Sequence, residues 1–288
     1  MDEEPFRVVS RVKAFGGTLT RFVSQSPATQ CAMTCSIYVP CADGKVPLIV
    51  YLSGLTCTDE NAAQKGNCFG SLREHKCAMV FPDTSPRGPN GGSLVEGDSA
   101  SWDFGIGAGF YVDATAAPWS NHFNMYSYIT KDLPAVLEAN FGDCIDTKRV
   151  SIMGHSMGGH GALTIALKNQ ATYVSVSAFA PICNPINCPW GKKAFSNYLS
   201  EGNWEEYDAT ALISKLGRTR FDDILIDVGT ADAFYAQKQL LPEAFAAACQ
   251  SVGQPLRCRM EEGYDHGYYF VSTFMDDHIQ HHAARLHV

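Results

Sequence analysis

Val150-Ser151-Ile152-Met153-Gly154-His155-Ser156-Met157-Gly158-Gly159-His160-Gly161-Ala162-Leu163 sets a G-x-S-x-G pattern between a short apolar run and a stretch of helical spacing. A serine held on a sharp strand-to-helix turn has strained dihedrals. Residues two places either side then lie so close that only a small side chain fits, which accounts for Gly154 and Gly158. Ser156 therefore projects its hydroxyl above the sheet. The helix that follows aims its dipole and its unpaired N–H groups at the same spot, where negative charge develops in acyl transfer. The backbone N–H of Met157 is the natural first oxyanion donor.

Outward from this turn, the chain reads as short, nearly continuous apolar runs separated by helical patterns. The runs are Val46–Leu52, Cys77–Phe81, Val150–Met153, Val174–Phe179, Ile224–Asp227 and Leu256–Met260. Such runs suit parallel strands buried on both faces. Between them the spacing predicts helices over Tyr126–Asn140, Gly161–Asn169, Leu240–Ser251 and Tyr268–Arg285. Residues 6–39 instead alternate apolar and polar around Gly16-Gly17, an antiparallel start. The expected fold class is α/β, an α/β-hydrolase fold. It has a mostly parallel, doubly wound sheet with an antiparallel N-terminal part and helices on both faces, all in one domain over residues 1–288. Two stretches rich in Gly, Pro, Asn and Trp, about 82–120 and 181–208, read as long functional loops.

A second oxyanion N–H comes from the loop after an earlier strand in this architecture. Here Pro47–Leu52 runs into Ser53-Gly54-Leu55-Thr56-Cys57-Thr58, where Gly54 permits a tight turn and leaves Leu55 N–H as the donor. Triad partners follow the serine in the order acid, then histidine, which excludes His75, His122 and His155. His160, on the elbow helix, is assigned to packing or capping. His278, His281, His282 and His287 fall on or after the last helix, whereas His266 lies in the loop Glu262-Gly263-Tyr264-Asp265-His266-Gly267, so it is the candidate base. The acid ends the preceding strand: Asp232, in the turn after Ile224–Val228, is the first choice, and Asp227, inside the run, stays open as the alternative.

These segments carry a resemblance. Ser53–Thr58, Phe81-Pro82-Asp83-Thr84-Ser85-Pro86-Arg87-Gly88, Ser101-Trp102-Asp103-Phe104-Gly105, Gly107–Tyr111, Gly154–Gly159 and Tyr264-Asp265-His266 together resemble the esterase D family of S-formylglutathione hydrolases. The resemblance implies a cytosolic serine hydrolase without a metal or other cofactor. It would act on S-formylglutathione in formaldehyde detoxification, with Ser156, Asp232 and His266 as its triad and Leu55 and Met157 as its oxyanion donors; a homodimer is a reasonable expectation. Where the family commonly has a Lys-Ala-Gly-Ala-Gln-like stretch, this chain reads Gln64–Gly70, which bears on the pocket wall and substrate preference.

Composition bounds the remaining readings. Lys and Arg total 22 against 30 Asp and Glu, a formal charge of −8, which weighs against nucleic-acid or anionic-membrane partners. No stretch approaches the ~18–20 apolar residues that span a bilayer. Eleven cysteines, an odd number spread along the chain, read as reduced thiols. The acidic start Met1–Pro5 carries no secretory or transit pattern, and Leu286-His287-Val288 no retention address. Cys57, two residues after the proposed donor, reads as an accessory thiol bordering the site. Trp102, Tyr111, Trp119 and Trp190 are candidate pocket aromatics, and Lys192 and Lys193 candidate partners for a glutathione carboxylate. His278, His281 and His282 share a helical face but read as a solvated helix end rather than a metal cluster. The nucleophile, base and oxyanion donors serve any acyl transfer, so a short-chain carboxylesterase or acyltransferase is the alternative. A non-catalytic binding protein is disfavoured by the complete set.

Overall fold

The computed structural model describes residues 4–200 and 202–288. The first three residues of the acidic start, and Glu201 within the second long loop, lie outside the described residues. Nine strands form one sheet: β1 (Phe6–Ala14), β2 (Gly17–Ser26), β3 (Cys31–Val39), β4 (Val46–Leu52), β5 (Ala78–Pro82), β6 (Ile145–His155), β7 (Tyr173–Phe179), β8 (Ile224–Gly229) and β9 (Leu256–Glu261). Their order is β1-β2-β3-β5-β4-β6-β7-β8-β9. The first three pairings, through β3–β5, are antiparallel. From β5 onward every pairing is parallel. The switch follows the sequence: β1 is largely exposed and β2 alternates, whereas β4 and β5 are apolar and buried along their whole length.

Alternation along β7 separates the two layers of helices. Ser175 and Ser177 face the C-terminal helix Tyr268–Leu286 through His282 and His278. Ala178, one residue on, faces the elbow helix Met157–Lys168, where a Cβ on Gly159 would lie 3.3 Å from its own. Helices therefore cover both faces of the sheet, as the strand pattern predicts. Among the described residues no helix is long and apolar enough to cross a membrane.

Several boundaries differ from the sequence reading. The elbow helix begins at Met157, immediately after the serine, rather than at Gly161. The expected Tyr126–Asn140 helix forms as one helical run from Met125 to Phe141, widened to a π-type turn over Tyr128–Asp132 ahead of Pro134, which has no N–H to donate back into the preceding turn. The loop expected over 181–208 contains the helix Pro189–Tyr198, whose N-cap Cys188 accepts the Gly191 N–H on its sulfur. Helices over Asp59–Lys65 and Phe69–Glu74 are too short and polar to show a clear apolar period, and Ala209–Leu216, though amphipathic, spans only eight residues.

Candidate active site

At the end of β6 the chain turns at Ser156 with φ 59° and ψ −118°, a strained left-handed backbone for a residue with a Cβ. The fit is tight: a Cβ on Gly158 would meet the Leu52 carbonyl oxygen at 1.9 Å, and one on Gly154 the Gly158 oxygen at 2.2 Å. Ser156 N–H donates to Phe179 O at 2.9 Å, which ties the turn to the end of β7. The helix starts at once, with His160 N–H donating to Ser156 O at 3.0 Å.

The loop after β4 reaches the same point. A Cβ on Gly54 would sit 3.0 Å from Ser156 Cβ, so the backbone of Gly54 and Leu55 passes directly beside the serine. Neither Leu55 N–H nor Met157 N–H has an acceptor among the described residues. Two unpaired N–H groups from two different elements thus flank the Ser156 side chain.

His266 lies in the loop after β9, with Nδ1 2.5 Å from Asp232 Oδ2. Asp232 is buried and caps the short helix that begins at Ala233, its Oδ1 accepting the N–H groups of Phe234 and Tyr235 at 2.7 and 3.2 Å. Both carboxylate oxygens are therefore occupied, and one of them is reserved for the imidazole. The His266 ring packs 4.6 Å from that of His155, the residue preceding the serine. Ser156 Oγ itself makes no hydrogen bond to a described residue.

Asp227, the alternative acid, points elsewhere. Arg259 grips it with Nε and Nη2 at 2.6 and 2.5 Å, and His278 Nε2 stands 3.2 Å away. Burial raises its pKa, but the bonds from Arg259 and His278 outweigh that and hold it below the ordinary carboxylate value.

The C-terminal histidines are not a solvated helix end, as the sequence suggested. His278 and His282 are fully buried and His281 nearly so, because this face of the helix lies on the sheet. A hydrogen-bond chain runs from Asp227 through His278 to Ser177 (2.8 Å), His282 (2.8 Å), Ser175 (2.8 Å) and Ser151 (2.7 Å). The carboxylate can only accept, so His278 donates through Nε2; in the neutral form that burial favours, it accepts at Nδ1, and each later member then donates toward Asp227 in turn. Burial pushes the pKa of both downward.

The pocket aromatics form a run of rings. Trp102, 55% exposed, meets Trp190 edge-on at 5.7 Å; Trp190 lies 4.6 Å from Phe234, and Phe234 4.8 Å from His266. Tyr111 is instead buried, bonding Ser53 O at 2.9 Å, and Trp119 packs in the core on Phe104, Phe123 and Tyr198. Lys193 is paired with Asp103 and donates to Ser101 Oγ at 2.8 Å, so its charge is already matched within the chain. Lys192 is exposed. Of Gln64–Gly70, Gln64, Asn67 and Phe69 line a groove of about 590 Å³ with Val12, Phe15 and Leu19. Cys57 is buried, its sulfur 4.0 Å from Tyr268 Oη, and burial raises the pKa of its thiol.

Phe234, His155 and Tyr268 are neighbours of the site that the sequence reading did not single out. Each lies within two residues of a proposed triad member, and that proximity was the available signal. His155 is buried with neither ring nitrogen hydrogen-bonded, and its ring lies 5.8 Å from that of Tyr268.

Comparison with known proteins gives the family of the chain. Residues 26–281 match the family described as putative esterase. The S-formylglutathione hydrolase of Rattus norvegicus is 50% identical over 96% of this chain and 98% of its own length. That of Arabidopsis thaliana is 52% identical over 96% and 97%. A solved S-formylglutathione hydrolase from Agrobacterium tumefaciens superposes with a TM-score of 0.89 at 44% identity, covering 97% of this chain and 99% of its own. FphF of Staphylococcus aureus, at 17% identity and a TM-score of 0.70, shares the fold alone. On both sequence and architecture, then, the chain belongs to the esterase family that includes the S-formylglutathione hydrolases.

Proposed function

We propose that the protein is a serine thioesterase that hydrolyses S-formylglutathione to glutathione and formate through an acyl-enzyme on Ser156. The observation that carries this reading is the pairing of buried Asp232 with half-buried His266, whose ring packs on His155 next to a strained serine flanked by two unpaired backbone N–H groups. Asp232 holds the His266 tautomer with its proton on Nδ1 and leaves Nε2 free to act as base. Substrate binding closes the contact between Nε2 and Ser156 Oγ, a bond that is commonly long in an empty site.

Ser156 then attacks the formyl carbonyl while His266 takes its proton. Leu55 and Met157 N–H stabilise the oxygen as it becomes negative. The C–S bond breaks, and the protonated His266 returns the proton to the departing glutathione sulfur. Water, activated by the same imidazole, attacks the formyl ester, and formate leaves with Ser156 restored. Trp102, Trp190 and Phe234 line the approach and bind the thiol half of the substrate. Lys193 is already paired with Asp103, whereas Lys192, exposed and two residues after Trp190, is the candidate partner for a glutathione carboxylate.

The high identity to relatives of that name supports S-formylglutathione as the substrate. The eleven unpaired cysteines support a cytosolic location, and a homodimer rests on the resemblance alone. Comparing kcat/KM for S-formylglutathione, S-acetylglutathione and a short aryl ester tests the assignment. A clear preference for the formyl thioester is expected; a faster aryl ester would make the protein a general carboxylesterase on the same scaffold.

A further inference from the structure

The loop that carries Leu55 is held from behind by Thr84 and Arg87. Cys57 O accepts from Thr84 Oγ1 at 2.5 Å and from Arg87 Nη2 at 3.3 Å. Arg87 is itself fixed by a fork onto Asp83, Nε to Oδ2 at 2.9 Å and Nη2 to Oδ1 at 3.0 Å. Asp83 is buried, and its N–H donates to Thr34 O at 3.1 Å, so the clamp is anchored to β3. On the other side, Thr56 N–H donates to Gly107 O at 2.9 Å, and Gly107 N–H to Ser85 Oγ at 2.8 Å.

These contacts hold a conformation that the loop would not keep alone. Thr56 sits at φ 67°, an outlier for a β-branched residue, and such strain persists only where the surroundings enforce it. Cys57 N–H in turn donates to Gly54 O at 3.3 Å. The carbonyl of Gly54 and the N–H of Leu55 are opposite ends of one planar peptide. Fixing that carbonyl on the Cys57 side therefore turns the Leu55 N–H the other way, toward Ser156.

We propose that the Asp83–Arg87 pair is a positioning device for the oxyanion site: by holding the Cys57 carbonyl it sets the peptide plane from which Leu55 donates. The proposal rests on Leu55 N–H being an oxyanion donor. Arg87 touches neither substrate nor nucleophile; it acts through the loop. Lysine cannot replace it, because a single ammonium cannot fork onto Asp83 and reach Cys57 O together.

The test combines kinetics with the amide resonances of Leu55 and Met157. In the wild-type protein, methylboronic acid, which forms a tetrahedral adduct with a reactive serine, moves both amide protons downfield. In Arg87→Lys and Thr84→Val, kcat for S-formylglutathione falls roughly 10- to 100-fold with KM nearly unchanged, less than the 10²–10³ that follows deletion of a donor. Thermal stability stays close to wild type, the boronate binds more weakly by a similar factor, and the Leu55 shift shrinks while that of Met157 persists. Arg87→Met extends the series if it folds. Wild-type kcat and an undiminished Leu55 shift in folded Arg87→Lys and Thr84→Val proteins would overturn the inference and leave the oxyanion assignment standing. A Leu55 amide that does not respond to the boronate in the wild-type protein would remove that assignment, and the inference with it.

Discussion

Asp232 Oδ2 stands 2.5 Å from His266 Nδ1, while Asp227, five residues earlier on the same strand-to-turn segment, is bound to Arg259 and His278 on the other side of the sheet. Two carboxylates that are near neighbours in sequence thus have separate partners, one a histidine in the loop after β9 and the other an arginine and a helix histidine.

Substitution separates the two. Asp232→Asn should keep the fold and lose on the order of 10⁴ in kcat, because the amide donates to Nδ1 and holds the imidazole in the wrong tautomer. Asp227→Asn should leave kcat largely intact and lower stability by about 3 kcal/mol, since Arg259 loses a buried counter-charge and the His278 N–H a charged acceptor. Steady-state kinetics and urea unfolding on both variants decide it. The reverse pattern would transfer the acid role to Asp227.

Cys57 should prove dispensable. Its thiol is buried and its pKa raised by that burial, so at neutral pH it is protonated and has no base to activate it. Cys57→Ala and Cys57→Ser should retain most of the activity, while a bulky thiol reagent inhibits the wild-type protein, slowly and faster at alkaline pH, by filling space beside Leu55. A Cys57→Ala protein as inactive as one lacking Ser156 would point to a cysteine nucleophile.

Stability should fall in mild acid. Burial pushes His160 and His281 down to about 4, with the Phe110 carbonyl and Asp223 respectively opposing the shift, and it also lowers His155, His278 and His282. A histidine kept neutral in the fold but protonated in the unfolded chain makes the unfolded state bind more protons. Its stabilisation is then complete above the unfolded value of about 6.5 and is lost as pH falls toward the folded one. Each such histidine contributes up to about 1.4 kcal/mol per pH unit across that window. Tm by scanning calorimetry should drop steadily between pH 7 and 4 (bounds of about these values); a Tm flat over that interval would mean that the Asp227–Ser151 chain does not depend on neutral imidazoles.

The parallel half of the sheet was legible because strands buried on both faces must be apolar throughout, and β4 matches its expected range residue for residue. β6 was read short: its first residues, Asp146 to Arg149, are polar, yet the strand begins pairing with β4 at Ile145. The triad candidates were legible because turn chemistry and chain order are local signals. The histidines of the last helix were not. Their partners, Ser175, Ser177 and Asp227, are isolated polar residues inside apolar strands, with His278 and Ser177 101 positions apart, and no periodicity joins such pairs. The clamp on Cys57 escaped notice for the same reason, since Arg87 in a Pro- and Gly-rich loop reads as an exposed charge until the fold brings it behind the elbow.

The central claim is that turnover passes through an acyl group on Ser156. The most direct measurement is kcat for S-formylglutathione with Ser156→Ala, on protein shown by circular dichroism and thermal melting to be folded as wild type. A loss on the order of 10⁶ is expected, because the proposed mechanism has no second nucleophile to form the ester; a folded Ser156→Ala protein that keeps more than a few per cent of wild-type turnover would contradict the mechanism.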